Sequence, residues 1–131
     1  MSYDYTLEGQ TFPDWNLTFA LSDSVTDMAS LEGLAVEQDT SAANTVKLAT
    51  DGSKIVGFIF AAENGVNQGE GITVTVAMKG GFRVKTNAKL SVGAAVVGAG
   101  NGAVRAVASG ESSDIRVWES IDNSTAIVFK G

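Results

Sequence analysis

Neither cysteine nor histidine occurs among the 131 residues of the chain. Without cysteine there is no disulfide framework and no thiolate nucleophile. Without either residue, thiolate and imidazole zinc sites cannot form, and neither can a Ser-His-Asp triad. Proline occurs once, as Pro13. Positive charge is also scarce: nine Lys and Arg stand against fifteen Asp and Glu, a net charge of −6 and a pI near 4.4. A chain of that sign is repelled by phosphate backbones and by anionic membrane surfaces, so neither nucleic acid nor membrane is an expected partner. No apolar run approaches the roughly 20 residues that span a bilayer. The start, Met1-Ser2-Tyr3-Asp4-Tyr5, has neither the basic nor the apolar region of a signal peptide. The expected location is therefore the cytoplasm, or a particle assembled there.

What is present reads as a folded β domain. The hydrophobic fraction is 44% and the charged fraction 18%, which is globular rather than disordered composition. The length suits one domain. Fifteen glycines among many Val and Ala residues predict short strands joined by tight turns.

Residues 1–20 stand apart and read as an extended N-terminal arm, with a single β domain over 21–131. The arm holds Tyr3, Tyr5, Phe12, Trp15 and Phe19, and also Pro13. It either packs on its own domain or docks on a partner, since Tyr and Trp are favoured interface anchors. Tyr3, Tyr5, Phe12, Pro13 and Trp15 are its candidate partner-binding residues. In Leu21–Ser30, Ser22 or Ser24 is placed to cap one helical turn.

From Leu31 onward the period is two. Leu34 and Val36 alternate with Ala35 and Glu37, and Val46 and Leu48 with Lys47 and Ala49. Asp51-Gly52 is a hairpin-type turn pair. Ile55–Ala61 is an almost unbroken apolar run, as in a strand buried on both faces, with Gly57 marking a bulge or a close backbone approach. Asn64-Gly65 and Gln68-Gly69 punctuate the next loop. Ile72, Val74 and Val76 give the cleanest alternation, which Lys79-Gly80-Gly81 is expected to end, and Phe82 and Val84 resume it. Asn101-Gly102 predicts a hairpin between Val96-Val97 and Val104–Val107. Near the C-terminus, which of Ile115 and Val117 or Arg116 and Trp118 points inward is left open. Ala126–Phe129 is the last strand. The sum is roughly eight to ten short strands. The expected fold is all-β, a compact antiparallel sandwich or barrel-like domain with at most one or two short helical turns.

Few motifs carry chemistry. Gly98-Ala-Gly100-Asn-Gly-Ala103 matches the letters of a dinucleotide loop, but a strand pattern follows where a helix N-terminus is needed. Ala77-Met78-Lys79 resembles the lysine tripeptide of biotin carrier domains, although Val76 and Gly80 replace that family's flanking Glu and Met. The carboxylates are scattered, so Glu32, Glu37, Asp39, Glu63 and Glu70 read as solubilising. No EF-hand spacing occurs. No catalytic residue, metal ligand or cofactor site is expected.

Several segments, taken in order, resemble a known family. They are Glu32-Gly-Leu-Ala-Val-Glu37, Ala43-Asn-Thr-Val-Lys-Leu-Ala49 with Asp51-Gly52, and Lys54-Ile-Val-Gly-Phe58. Gly71-Ile-Thr-Val-Thr-Val-Ala-Met-Lys-Gly-Gly-Phe82 follows, then Leu90-Ser-Val-Gly-Ala-Ala-Val-Val-Gly98, Gly100-Asn-Gly-Ala-Val104 and Ala126-Ile-Val-Phe129. Over residues 32–131 they are similar to the decoration, or cement, proteins of tailed-bacteriophage heads. The resemblance implies a non-enzymatic β protein made in the host cytoplasm and placed on the outer surface of the mature capsid. It further implies homotrimers that bridge neighbouring major capsid protein subunits and resist internal DNA pressure. A fibre or adhesin module binding protein or glycan is the competing expectation, and a biotin-carrier-like domain using Lys79 a lesser one.

Overall fold

The computed structural model describes residues 12–25, 27–64 and 71–131. The strands are β1 (Phe12–Leu21), β2 (Ala35–Gln38), β3 (Thr45–Leu48), β4 (Gly57–Asn64), β5 (Ile72–Lys85), β6 (Val96–Gly100), β7 (Ala103–Ala106), β8 (Arg116–Ser120) and β9 (Thr125–Lys130). Among the described residues the only helical element is a 3₁₀ turn, Met28–Leu31. The protein is all-β, as the pattern of short alternating runs requires. Its cap is Asp27, whose carboxylate accepts from the Ala29 N–H at 3.1 Å, and not Ser22 or Ser24.

Five strands close into a barrel. β3 pairs with β1 and β2, β2 with β4, β4 with β5, and β5 returns to β1. All of these pairs are antiparallel except β1–β3, which is parallel. The expected arm–domain boundary after residue 20 falls inside β1, which is a barrel stave from Phe12 onward.

β5 is long because it serves two structures. β1 follows one edge from Ile72 to Gly81. The other edge is taken first by β4, to Ala77, and then by β9, from Gly80 to Lys85. β8 borders β9 and extends the sheet to seven strands, and β6–β7 is a separate hairpin. Lys79-Gly80-Gly81 therefore does not end the strand. It is where the strand changes faces. Ile72, Val74 and Val76 fill the barrel, together with Leu21, Leu31, Leu34, Val36, Val46 and Ile59. Phe82 and Val84 fill a second core with Ile55, Phe58, Leu90, Val96, Val104, Ile115, Val117 and Val128. Residues two apart share a face only while the pleat is regular. Here Trp15↔Lys79 is bracketed by two register shifts and Gly80 has φ +119°, and such bulges rotate a strand.

The wall between the two cores is apolar on both sides. Ala35, Phe58 and Ala77 face the second core, and their neighbours Val36, Ile59 and Val76 face the barrel. This bears out the reading of a strand buried on both faces for Ile55–Ile59 and corrects it for Phe60 and Ala61, which are exposed. It corrects the alternation expected for Leu34–Glu37, since Leu34, Ala35 and Val36 are all buried. Gly57 is a close approach, because a Cβ there would lie 2.5 Å from Val76 Cγ1. The bulge of β4 falls instead between Ile59 and Ala61.

Asn101-Gly102 turns the β6–β7 hairpin as expected, both residues at positive φ (53° and 81°). Asp51-Gly52 is a turn but not a hairpin, because β3 and β4 each pair with β2 and not with each other. It is held instead against β6, through the Gly52 N–H to Gly98 O (2.9 Å) and the Gly98 N–H to Ser53 O (3.1 Å).

Candidate docking surface

The described residues include no group of three or more His, Cys, Asp or Glu able to hold a metal ion, and no helix long and apolar enough to cross a membrane. What they do present is exposed aromatic surface, at Phe60 on β4 and, with the more exposed indoles, at two further places.

The first is on β1. Trp15 stands opposite Lys79 and is 49% exposed, with Lys79 Nζ 5.8 Å from the ring centroid. A solvated cation–π contact of this kind contributes about 0.5–1 kcal/mol and holds the indole against the barrel wall. Phe12 and Pro13 pair through their backbones with Gly81 and Gly80. Pro13 lies next to a register shift, a position where a strand tolerates a residue without an N–H. Tyr3 and Tyr5 lie outside the described residues. Of the five anchors expected on the extended N-terminal arm, Phe12, Pro13 and Trp15 therefore belong to a strand of the domain. Lys79 is mid-strand, not at a hairpin tip, so the turn that would display a carrier lysine is absent at this position.

The second place was not expected from the sequence. Trp118 is 60% exposed and its ring centroid lies 5.9 Å from that of Phe129, at 56°. The alternation left open at 115–118 resolves with Ile115 and Val117 inward, which turns Arg116 and Trp118 to solvent. A register shift between Val117 and Glu119 sets Trp118 on a bulge. Beside it the 91–94 turn is fixed to β8 by the Gly93 N–H to Val117 O (2.7 Å) and the Val117 N–H to Ala94 O (2.9 Å). Arg116 Nη1 donates to Gly93 O at 3.3 Å. The result is an open, apolar groove of about 310 Å³ lined by Val92, Gly93, Arg116, Val117 and Trp118. The outward alternation of Arg116 and Trp118 was the available signal; the size of the indole, which argues for burial, obscured it.

Elsewhere two of the carboxylates expected to be merely solubilising, Glu37 and Asp39, fasten loops. Burial disfavours charge on Glu37, but the Thr50 hydroxyl (2.6 Å) and N–H (2.8 Å) outweigh it and hold the carboxyl below its ordinary value. The Ser41 hydroxyl and N–H hold Asp39 down at about 2. Arg105 joins three segments. Its Nε meets Asp51 at 2.8 Å and its Nη1 and Nη2 meet Glu111 at 2.7 and 2.9 Å, while Glu111 also accepts from the Ala108 N–H. Those bonds, the Arg105 pair first, hold the Glu111 carboxyl down at about 2. A depressed folded-state pKa adds stability above the unfolded value, near 4.5, and loses it as pH falls toward 2. Glu111→Gln should therefore melt below the native chain at pH 6, the two curves converging by pH 2. A gap of unchanged size at pH 2 would show that ionisation of this carboxyl is not what stabilises the loop.

No family model matches the chain, and a search of curated proteins returned no match to it.

Proposed function

We propose that the protein is a structural component of a phage virion that binds the outer surface of the mature capsid and bridges neighbouring major capsid protein subunits. The observation that carries this reading is the pair of exposed tryptophans on one doubly cored body. A bridge needs two contact surfaces on a body that does not deform between them. Trp15 on β1 and Trp118 on β8 lie on strands separated by β5 and β9, three strand spacings or about 14 Å. The ordered likeness of residues 32–131 to capsid decoration proteins supplies the partner. Association as a homotrimer would let weak contacts act together, raising avidity by about 10²–10⁴. A fibre or adhesin module is the competing reading, favoured by the open groove beside Trp118, where an indole face can stack on a sugar ring.

The test is co-sedimentation with heads of the phage that encodes the chain. Saturable binding to expanded, DNA-filled heads and not to unexpanded shells is expected. Absence from finished heads, with binding to cells or sugars by the isolated domain, replaces this reading with the adhesin one. The N-terminal segment is tested separately by removing residues 2–11, which leaves every strand pair from Phe12 onward in place. At least a tenfold loss of head occupancy with unchanged circular dichroism is expected; undiminished occupancy would take Tyr3 and Tyr5 out of the mechanism.

A further inference from the structure

Positive charge is concentrated on one part of the sheet. Residues 79–85, 116–120 and 125–130 hold Lys79, Arg83, Lys85, Arg116 and Lys130, five cations against the single carboxylate Glu119, in a chain whose net charge is −6. Strand alternation assigns the faces. Phe82, Val84, Val117 and Val128 point into the second core. Phe129, opposite both Gly81 and Arg116, and the exposed Arg83, Lys85, Arg116 and Trp118 point the other way, around a buried Ile127, whereas Lys130 alternates onto the side of Val128 and lies at the edge of this face. Arg83 and Glu119 have partners of their own. Lys85, Arg116 and Lys130 take part in no ion pair with the described residues.

We infer that this outward face of β5, β9 and β8 docks a protein surface that carries carboxylates around one projecting apolar side chain, the side chain entering the groove between Val92 and Trp118. The inference deepens the proposed function and rests on it for one point, that the partner is a protein. Trp and Arg are both enriched at interface hot spots. Arg116 beside Trp118 supplies a planar fork for a carboxylate next to an apolar slot. The negative charge on the rest of the molecule does not oppose such a partner, because fields beyond about 8 Å are screened at physiological salt, and inside that range the cations of the face dominate.

Two other occupants are less well served. The cationic strip runs for roughly 14 Å along β9, so a nucleic acid strand leaving it meets acidic surface. A second copy offers no clustered free carboxylates among its described residues. Asp23, Asp27, Glu37, Asp39, Asp51, Glu111 and Asp122 already accept internal hydrogen bonds or ion pairs, and Glu32, Glu63 and Asp114 lie on three separate elements.

The experiment titrates the full, ¹⁵N-labelled chain with a synthetic peptide of Glu and Asp around one Phe, with its Lys and Arg counterpart, and with a single-stranded thymidine oligonucleotide. The acidic peptide should move the signals of Lys85, Arg116, Phe129 and the Trp118 indole, and bind at least threefold more weakly at 500 mM than at 50 mM salt. Arg116→Glu and Trp118→Ala should each weaken it at least tenfold while the remaining signals stay in place. Equal binding of the basic peptide, tighter binding of the oligonucleotide at the same signals, or self-association abolished by Arg116→Glu would each overturn the inference. The same two variants are then sedimented with heads. Undiminished occupancy by both, where the native chain binds, overturns the inference and leaves the proposed function standing. Failure of the native chain to bind heads, with the peptide results as expected, does the reverse.

Discussion

Replacing Phe58 by alanine is expected to destabilise the protein by about 3–5 kcal/mol, a large part of the roughly 5–15 kcal/mol that holds a domain together. The ring is fully buried in β4 and its strand neighbours are Ala35 on β2 and Ala77 on β5. One large side chain thus fills the space left by two small ones. Its centroid lies 4.7 Å from that of Phe82. Neither methyl group can reach into the volume a truncated Phe58 would vacate, so the site cannot collapse, and the cost falls in the upper part of the range. Phe60, two residues on, is 45% exposed, and Phe60→Ala should cost less than about 1 kcal/mol. Urea unfolding at constant m separates the two. Equal midpoints for both variants would show that the second core does not depend on this ring.

The opposite substitution is expected to be as damaging. A Cβ at Gly57 would stand 2.5 Å from Val76 Cγ1 and 2.6 Å from Ala77 O. A side chain can rotate away, but a backbone oxygen in a ladder cannot, and β5 is gripped along its far edge by β1. Gly57→Ala should cost about 1–3 kcal/mol as an overpacked contact, and Gly57→Val, with two further methyl groups, about 3 kcal/mol or more. Gly71 is the control. Nothing lies within 4 Å of its ideal Cβ and its φ is not positive, so Gly71→Ala should stay within about 0.5 kcal/mol of the native chain. Thermal melts of the three variants give the comparison, and an unchanged Tm for Gly57→Val would mean that β4 and β5 are further apart than described.

The features that could be read in the sequence are those fixed by one strand and its nearest turn. Ile72, Val74 and Val76 announce a strand with one barrel face, and Asn101-Gly102 announces its hairpin because only positive φ at both positions gives the required twist. The double burial of Ile55–Ile59 is legible as a continuous apolar run, but the exposure of Phe60 and Ala61 at its end is not. What was not legible depends on partners distant in the chain. Gly80-Gly81 has the composition of a turn, yet β1 and β9 on its two edges hold it extended as a kink. Asp51-Gly52 has the composition of a hairpin, but β2 lies between the strands it would join. Of the candidate site, Trp15 was identified and its exposure is observed; its place in a barrel stave was hidden by the aromatic clustering that set residues 1–20 apart. Trp118 was missed because hydrophobicity alone cannot distinguish an indole that fills a core from one that a bulge turns outward.

The order of the strands along the chain also sets an order of assembly. Every stave of the barrel precedes residue 86, whereas β6 to β9, which complete the second core, follow it. During synthesis at about 5–20 residues per second, the remaining 45 or so residues take about 2–9 s to appear. For that interval a nascent barrel displays Ala35, Phe58, Ala77 and Phe82 as a bare apolar plate. That plate is the surface on which a ribosome-associated chaperone would act, and the one from which premature aggregation would start.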